Sequence, residues 1–184
     1  NNTKEKGYQN SETNVNYLKG RGYTNSNIEY FKIVKKDENT VMIPFIKDGH
    51  LVNFKYKDIR PEFKDKKKFY QVKDAEPCLF NHDNASDELI ITEGEFDTMA
   101  LHQYGFSAVS VPRGASNFDW VKVEYDWLDK FKVIYLCYDN DPAGKRGYEE
   151  AAKKLGEWRC KLVVFPFKDA NECLINGVSK EEMQ

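Results

Sequence analysis

Ile91-Thr92-Glu93-Gly94-Glu95-Phe96-Asp97 and, forty-odd residues on, Val133-Ile134-Tyr135-Leu136-Cys137-Tyr138-Asp139-Asn140-Asp141-Pro142-Ala143-Gly144 decide the fold. Each is a short β-rich run that ends on acids and passes into a helical pattern. After the first, Met99, Leu101 and Tyr104 carry helical spacing over Phe96–Tyr104; after the second, Ala143–Leu155 reads as a clear helix. Working outward, Leu89–Thr92 and Val133–Tyr138 are strands, as are Ala108–Val111 and Lys161–Phe165. A helix over Phe118–Phe131 is expected, capped by Ser116 or Asn117. A further helix begins near Ala170, and a last one starts as the sequence ends. Strand and helix alternating at this spacing predict an α/β fold with a mainly parallel sheet flanked by helices. Such sheets bind ligands beyond the carboxyl ends of their strands, where these acids fall.

Upstream the pattern differs. Val15 to Ile33 reads as two short helices broken at Gly20-Arg21-Gly22, with Thr24 or Ser26 as cap and Glu29 three residues after Ser26. Thr40–Ile46 and His50–Lys57 flank Lys47-Asp48-Gly49, a hairpin signature. Asp58 to Lys68 is strongly charged and predicts a loop, and Phe69–Val72 and Cys78–Phe80 add short strands that complete a small α+β lobe. Residues 1–14 are polar and read as a linker or tail. The expected division is therefore 1–14, a lobe over 15–86 and the α/β domain over 87–184. Asn rather than Met at position 1 leads to the expectation of a piece of a longer chain.

Of 184 residues, 40% are hydrophobic and 32% charged, an ordinary balance for a globular protein. No apolar run nears the ~20 residues of a bilayer span, and no signal-peptide pattern opens the chain, so no membrane partner is expected. Cys78, Cys137, Cys160 and Cys173 form no Cys-x-x-Cys unit, which argues against structural zinc and for a reducing intracellular setting. Charge is unevenly spread: residues 1–75 hold 16 Lys/Arg against 10 Asp/Glu, residues 76–184 hold 12 against 20. A basic part joined to an acidic part suits a protein that grips a polyanion with one and cations with the other, although solvated faces give the same balance.

The acids follow three strands: Glu93, Glu95 and Asp97 the first, Asp139 and Asp141 the next, Asp169 the last. Like charges converging on one crevice repel unless cations neutralise them, and hard divalent ions prefer oxygen. Mg²⁺ takes one or two protein carboxylates and leaves other positions to water and substrate phosphate, as phosphoryl chemistry requires. Gly94 and Gly144 are expected to let the backbone turn tightly there. Helix capping remains the bland reading of Asp97, Asp139 and Asp141. Asp139, Asp141, Gly144 and Glu150 also match positions 1, 3, 6 and 12 of an EF-hand loop, but Ala143 stands at position 5 and a strand precedes where a helix is needed.

The two acidic stretches resemble the Toprim signature, a Glu-Gly-x-x-Asp element followed by Asp-x-Asp. Lys168-Asp169-Ala170-Asn171-Glu172-Cys173 resembles the Lys-Asp-Ala-Asn element of the phage-type bifunctional primase-helicases, and Val111-Pro112-Arg113-Gly114-Ala115-Ser116 their Gly-Ala-Ser loop. Arg21-Gly22-Tyr23-Thr24, Ile43-Pro44-Phe45 and Leu51–Lys57 resemble the lobe before Toprim in these enzymes, so the likeness runs from about Val15 to Asn176. It implies a DNA primase core that joins ribonucleoside triphosphates on a single-stranded DNA template. Glu93 is then the acid linked to catalysis, as base or ligand; Asp139 and Asp141 are metal ligands, with Asp97 and Asp169 completing the set for Mg²⁺ or Mn²⁺, as two ions roughly 3.5–4 Å apart. Lys55, Lys57, Arg60 and Arg113 would contact nucleotide or template, Lys55 also serving catalysis. Lys55 and Lys57 alternate along a strand and share one face, with Tyr56 on the other; a solvated edge strand is the competing reading. Lys66-Lys67-Lys68 is expected to make at most sequence-independent phosphate contacts. The likeness further implies a replicative helicase domain in the same longer chain or as a partner, and the cytoplasm of a bacterial or phage-infected cell. Neither a zinc module nor a Gly-x-x-x-x-Gly-Lys-Ser/Thr loop is found in these residues. Alternatives are a catalytically silent DNA-binding or assembly module of a Twinkle-type helicase, and a Toprim nuclease.

Overall fold

The structure, a computed structural model, describes residues 11–63, 69–73, 75–85 and 87–184. Two four-stranded sheets organise it. The first is antiparallel in the order β1 (Val34–Asp37), β2 (Thr40–Lys47), β3 (His50–Asp58), β4 (Phe69–Gln71). Asp48 (φ 52°) and Gly49 (φ 73°) form the two-residue turn between β2 and β3, both left-handed, as the right-handed twist of a hairpin favours. Two helices precede this sheet. Ser11 caps α1 (Glu12–Gly20) and Thr24 caps α2 (Asn25–Tyr30), each accepting a backbone N–H from three residues on. The tail expected over 1–14 thus already enters a helix at Glu12, because Ser11 supplies the cap and Asn14 is buried beneath it. Thr24, not Ser26, is the cap of α2.

The second sheet is parallel throughout, in the order β6 (Ala108–Ser110), β5 (Leu89–Thr92), β7 (Ile134–Cys137), β8 (Cys160–Leu162). Alternation along its strands assigns two faces. Leu89, Ile91, Val109, Ile134 and Leu136 point into a core closed by Trp120, Leu128, Ala151 and Leu155, from α4 (Asp119–Val123), α5 (Tyr125–Leu128) and α6 (Pro142–Leu155). Ile90, Ala108 and Cys137 point the other way, toward α3 (Glu95–Tyr104) and α7 (Ala170–Ile175). There Phe96, Met99 and Leu101 share one core with Leu18, Ile28, Val41, Ile43 and Phe45. Helix α3 is therefore the common layer between the two sheets. That packing holds β3 of the first sheet over the strand ends of the second.

Three expectations change. The helix expected over Phe118–Phe131 is two short ones meeting at Glu124. Glu124 turns inward: its carboxylate, 2% exposed, lies 2.9 Å from Lys47 Nζ and 3.3 Å from His82 Nε2. His82 also contacts Asp83 and stacks on Trp127, and Asp83 accepts the N–H groups of Asp48 and Gly49. This buried polar cluster pins the β2–β3 turn to the parallel-sheet half. Cys78–Phe80 is not a strand, since only Phe80 bridges, antiparallel, to Ser110. The final element is a single 3-10 turn at Glu181–Met183. Residues 64–68, with Lys66-Lys67-Lys68, lie outside the described residues. All four cysteines are free thiols, and among the described residues no helix is long and apolar enough to cross a membrane.

Candidate active site

The pairing of β5 with β7 builds the site. Thr92 lies opposite Cys137 in a parallel register, so both chains leave the sheet side by side, roughly 4.8 Å apart. Glu93 is one residue past that pair and Asp139 two. From β5 the chain moves outward to β6, whereas beyond β7 it moves the opposite way to β8. The crevice between β5 and β7 is thus a topological switch point, where open α/β sheets place their ligands.

A cleft of about 220 Å³ opens there, lined by the acids Glu93, Glu95, Asp97, Asp139 and Asp169 and by the bases Arg21, Lys55, Lys57 and Lys168. Asp97 sits in the first turn of α3, its Oδ1 accepting the N–H of Asn171 (3.1 Å). Burial, reinforced by the charge of Asp169 and then of Asp139, pushes the Asp97 carboxyl well above the ordinary carboxylate range, against the Asn171 N–H and the Arg21 guanidinium. Asp169 caps α7 through Glu172 N–H (2.7 Å). Asp141 caps α6, accepting from Ala143 and Gly144 (2.9 Å each), and these bonds with the nearby Lys168 hold its carboxyl below the usual range. Capping and membership of an acidic cluster are thus both true of Asp169 and Asp141. Asp141 itself lines an adjoining groove with Asp139, Lys145 and Tyr148 rather than the cleft proper.

Gly144 has a different task from the tight turn expected. It lies within α6, and a Cβ there would come 2.0 Å from the Asp139 carbonyl oxygen. Only glycine lets the helix start so close to the acid-bearing loop. Gly94 has an extended backbone (φ −129°) that any residue can adopt.

Two of the bases come from β3. Lys55 Nζ contacts Glu95 Oε1 at 2.6 Å and the Pro112 carbonyl at 3.2 Å. Lys57 is buried; burial, then the charge of Arg21, lowers its ammonium below the usual lysine range. Both ammonium groups lie over Phe69, at 5.3 and 5.4 Å. Tyr56 points to the opposite face, stacked on Tyr70. Arg60 and Arg113 are not brought to the cleft. Arg60 is exposed and paired with Asp58 at 2.6 Å, and Arg113 reaches the Ala75 carbonyl at 3.3 Å.

Two cleft residues escaped the sequence reading. Arg21 stacks on Phe96 (4.2 Å) and donates to Tyr17 Oη (2.9 Å) and to Asn171 Oδ1. Its Arg-Gly-Tyr-Thr context was the available signal. Lys168 places Nζ 2.9 Å from Asp139 Oδ2 and 3.6 Å from Asp141 Oδ2, and those carboxylates, Asp139 first, raise its ammonium. Among the described residues no three His, Cys, Asp or Glu side chains stand at metal-ligating spacing. Donor chemistry and charge nonetheless suit a hard divalent cation, because the charges of Asp169 and Asp139 both bear on Asp97 and all three side chains offer only oxygen.

A parallel sheet in this order with acids on its two central strand ends is the Toprim architecture, and a family of Toprim-like domains matches residues 90–174. The primase homolog protein of Arabidopsis thaliana is 30% identical over 188 residues, covering 87% of this chain and 54% of that protein. The DNA helicase/primase of Enterobacteria phage T3 is 38% identical over 97 residues, covering 50% of this chain and 17% of its own length. The primase fragment of the bacteriophage T7 primase-helicase superposes with a TM-score of 0.77 at 29% identity, over 100% of this chain and 81% of that one. The chain belongs to the Toprim-domain primase cores of the phage-type primase-helicases. It spans about half, or less, of the length of the two curated relatives.

Proposed function

We propose that the chain is the catalytic core of a DNA primase, joining ribonucleoside triphosphates into short primers on single-stranded DNA. The observation that carries this reading is the cleft lined by acids from α3 and from the loops after β5, β7 and β8 together with Lys55 and Lys57 of β3. Glu93, Asp97, Asp139 and Asp169, with Asp141 beside them, are the residues to hold Mg²⁺ or Mn²⁺. Such an ion, when bound, neutralises phosphate charge and acidifies a coordinated hydroxyl. Lys55, Lys57 and Arg21 bind the triphosphate; with Lys57 buried and partly dehydrated, its attraction for phosphate is less screened. They orient the α-phosphate for the 3′-hydroxyl of the preceding nucleotide, whose attack expels pyrophosphate. Glu93, next to the switch point, either ligates or receives the hydroxyl proton. A helicase domain in the same longer chain, or a helicase partner, and a cytoplasmic setting complete the proposal, in keeping with a phage relative named for both activities.

One observation favours a second reading, a silent DNA-binding module: the Lys168 ammonium occupies Asp139 and Asp141. The protein incubated with Mg²⁺ or Mn²⁺, single-stranded DNA and ribonucleotides separates the readings. Short RNA supports primase. Degraded DNA points to a nuclease, and bound but unchanged DNA to the silent module; either outcome refutes the proposal.

A further inference from the structure

Lys168 stands out as a cation built into the acidic cluster. It follows β8, whereas the carboxylates it touches follow β7. A backbone bond from Asn140 N–H to the Lys168 carbonyl (2.7 Å) fixes the two loops together beside the ammonium. Asp139 is 8% exposed, Lys168 38%, so the ammonium reaches from the cleft mouth onto a carboxylate that water hardly touches. A buried carboxylate without a counter-charge is costly, and Asp139 and Asp169 both bring like charge to the buried Asp97 beside them. The lysine brings positive charge to that carboxylate. The second oxygen of Asp141 is turned to it as well, while the first caps α6.

We propose that Lys168 is a resident counter-cation of the acidic cleft, which a divalent ion must displace from Asp139 and Asp141 in order to bind. This rests on the reading of the acids as a metal site and adds a competing counter-charge to it. The displaced ammonium remains at the cleft mouth, alongside Lys55, Lys57 and Arg21, and thereby couples metal entry to a more positive surface for phosphate. Its charge and an incoming Mg²⁺ or Mn²⁺ compete for the same oxygens, so the lysine weakens metal binding while it stabilises the metal-free fold.

The test is Mn²⁺ binding to the whole chain, followed by electron paramagnetic resonance and calorimetry without nucleotide or DNA, for wild type and Lys168→Met. Methionine keeps the stem volume and removes the charge. The proposal expects the variant to bind Mn²⁺ roughly three- to tenfold more tightly. It also expects the metal-free melting temperature of the variant to fall below wild type, with saturating Mn²⁺ closing the gap. Equal or weaker Mn²⁺ binding by the variant would show that Lys168 orients the ligands rather than competing with the ion, and would overturn the proposal while leaving the metal site standing. Absence of Mn²⁺ binding in wild type and variant alike would remove the metal site itself, and this inference with it.

Discussion

Lys55 on β3 and Glu95 in the first turn of α3 form an ion pair of 2.6 Å, with Glu95 only 2% exposed. The pair ties the antiparallel sheet to the parallel half at the rim of the acidic cleft. It also gives Lys55 a structural role besides any contact with substrate.

Lys55→Met leaves Glu95 buried without its cation. The expected cost is roughly 3 kcal/mol in a urea denaturation experiment, because removing one partner of a buried pair strands the other charge. Lys55→Met combined with Glu95→Gln is expected to recover most of that loss. A double variant as unstable as the sum of both singles would argue against the pairing.

Gly144→Ala should destabilise the fold by about 2 kcal/mol or more. The added methyl would meet the Asp139 carbonyl oxygen at 2.0 Å, so α6 must withdraw from the acid-bearing loop. A melting temperature within a degree or two of wild type would contradict the close approach, given the ~2–4 °C per kcal/mol expected for a chain of this size.

The cluster around His82 predicts a pH dependence. Burial opposes the charged imidazole, but hydrogen bonds with Glu124 and Asp83 outweigh it and raise its pKa. Glu124 is held below the usual range, its burial outweighed by His82 and Lys47. A raised folded-state value means that the stabilisation is complete below the unfolded value of about 6.5 and fades as pH rises through the folded value. The stability gap between wild type and His82→Gln should therefore narrow from about pH 6 to about pH 8. Urea midpoints at both pH values measure it; a gap that widens would reverse the assignment.

Lys57 and Arg60 are both expected from the sequence to contact nucleotide or template, but only Lys57 lines the cleft. Lys57→Met is expected to raise the KM for nucleotide about tenfold, the size of a lost charge-assisted contact. Arg60→Met, removing an exposed side chain paired with Asp58, is expected to change it less than about twofold. Steady-state kinetics of primer synthesis on both variants decides this.

The parallel sheet and the placing of acids at its strand ends were legible because β5 and β7 are short apolar runs that stop at charge. The hairpin was legible from Lys47-Asp48-Gly49. β1 was not: Val34-Lys35-Lys36-Asp37 is an edge strand with mostly exposed side chains, so it lacks apolar alternation. The break at Glu124 was hidden because apolar spacing continues through Val121, Tyr125 and Leu128, and only the distant partners Lys47 and His82 explain why that carboxylate turns inward. Arg21 and Lys168 belong to the cleft through contacts 150 and about 30 residues away, to Asn171 and Asp139. Spacing along a chain carries no such information. Conversely, Arg60 and Arg113 have suitable chemistry but are not among the residues that line the cleft.

Anomalous diffraction from crystals of the protein soaked in Mn²⁺ addresses the central claim most directly. The account predicts a manganese peak in the cleft among Glu93, Asp97, Asp139 and Asp169, absent from crystals of Asp139→Ala that retain the same fold. Manganese confined to other surfaces, with the cleft empty and Lys168 still seated on Asp139, would contradict it.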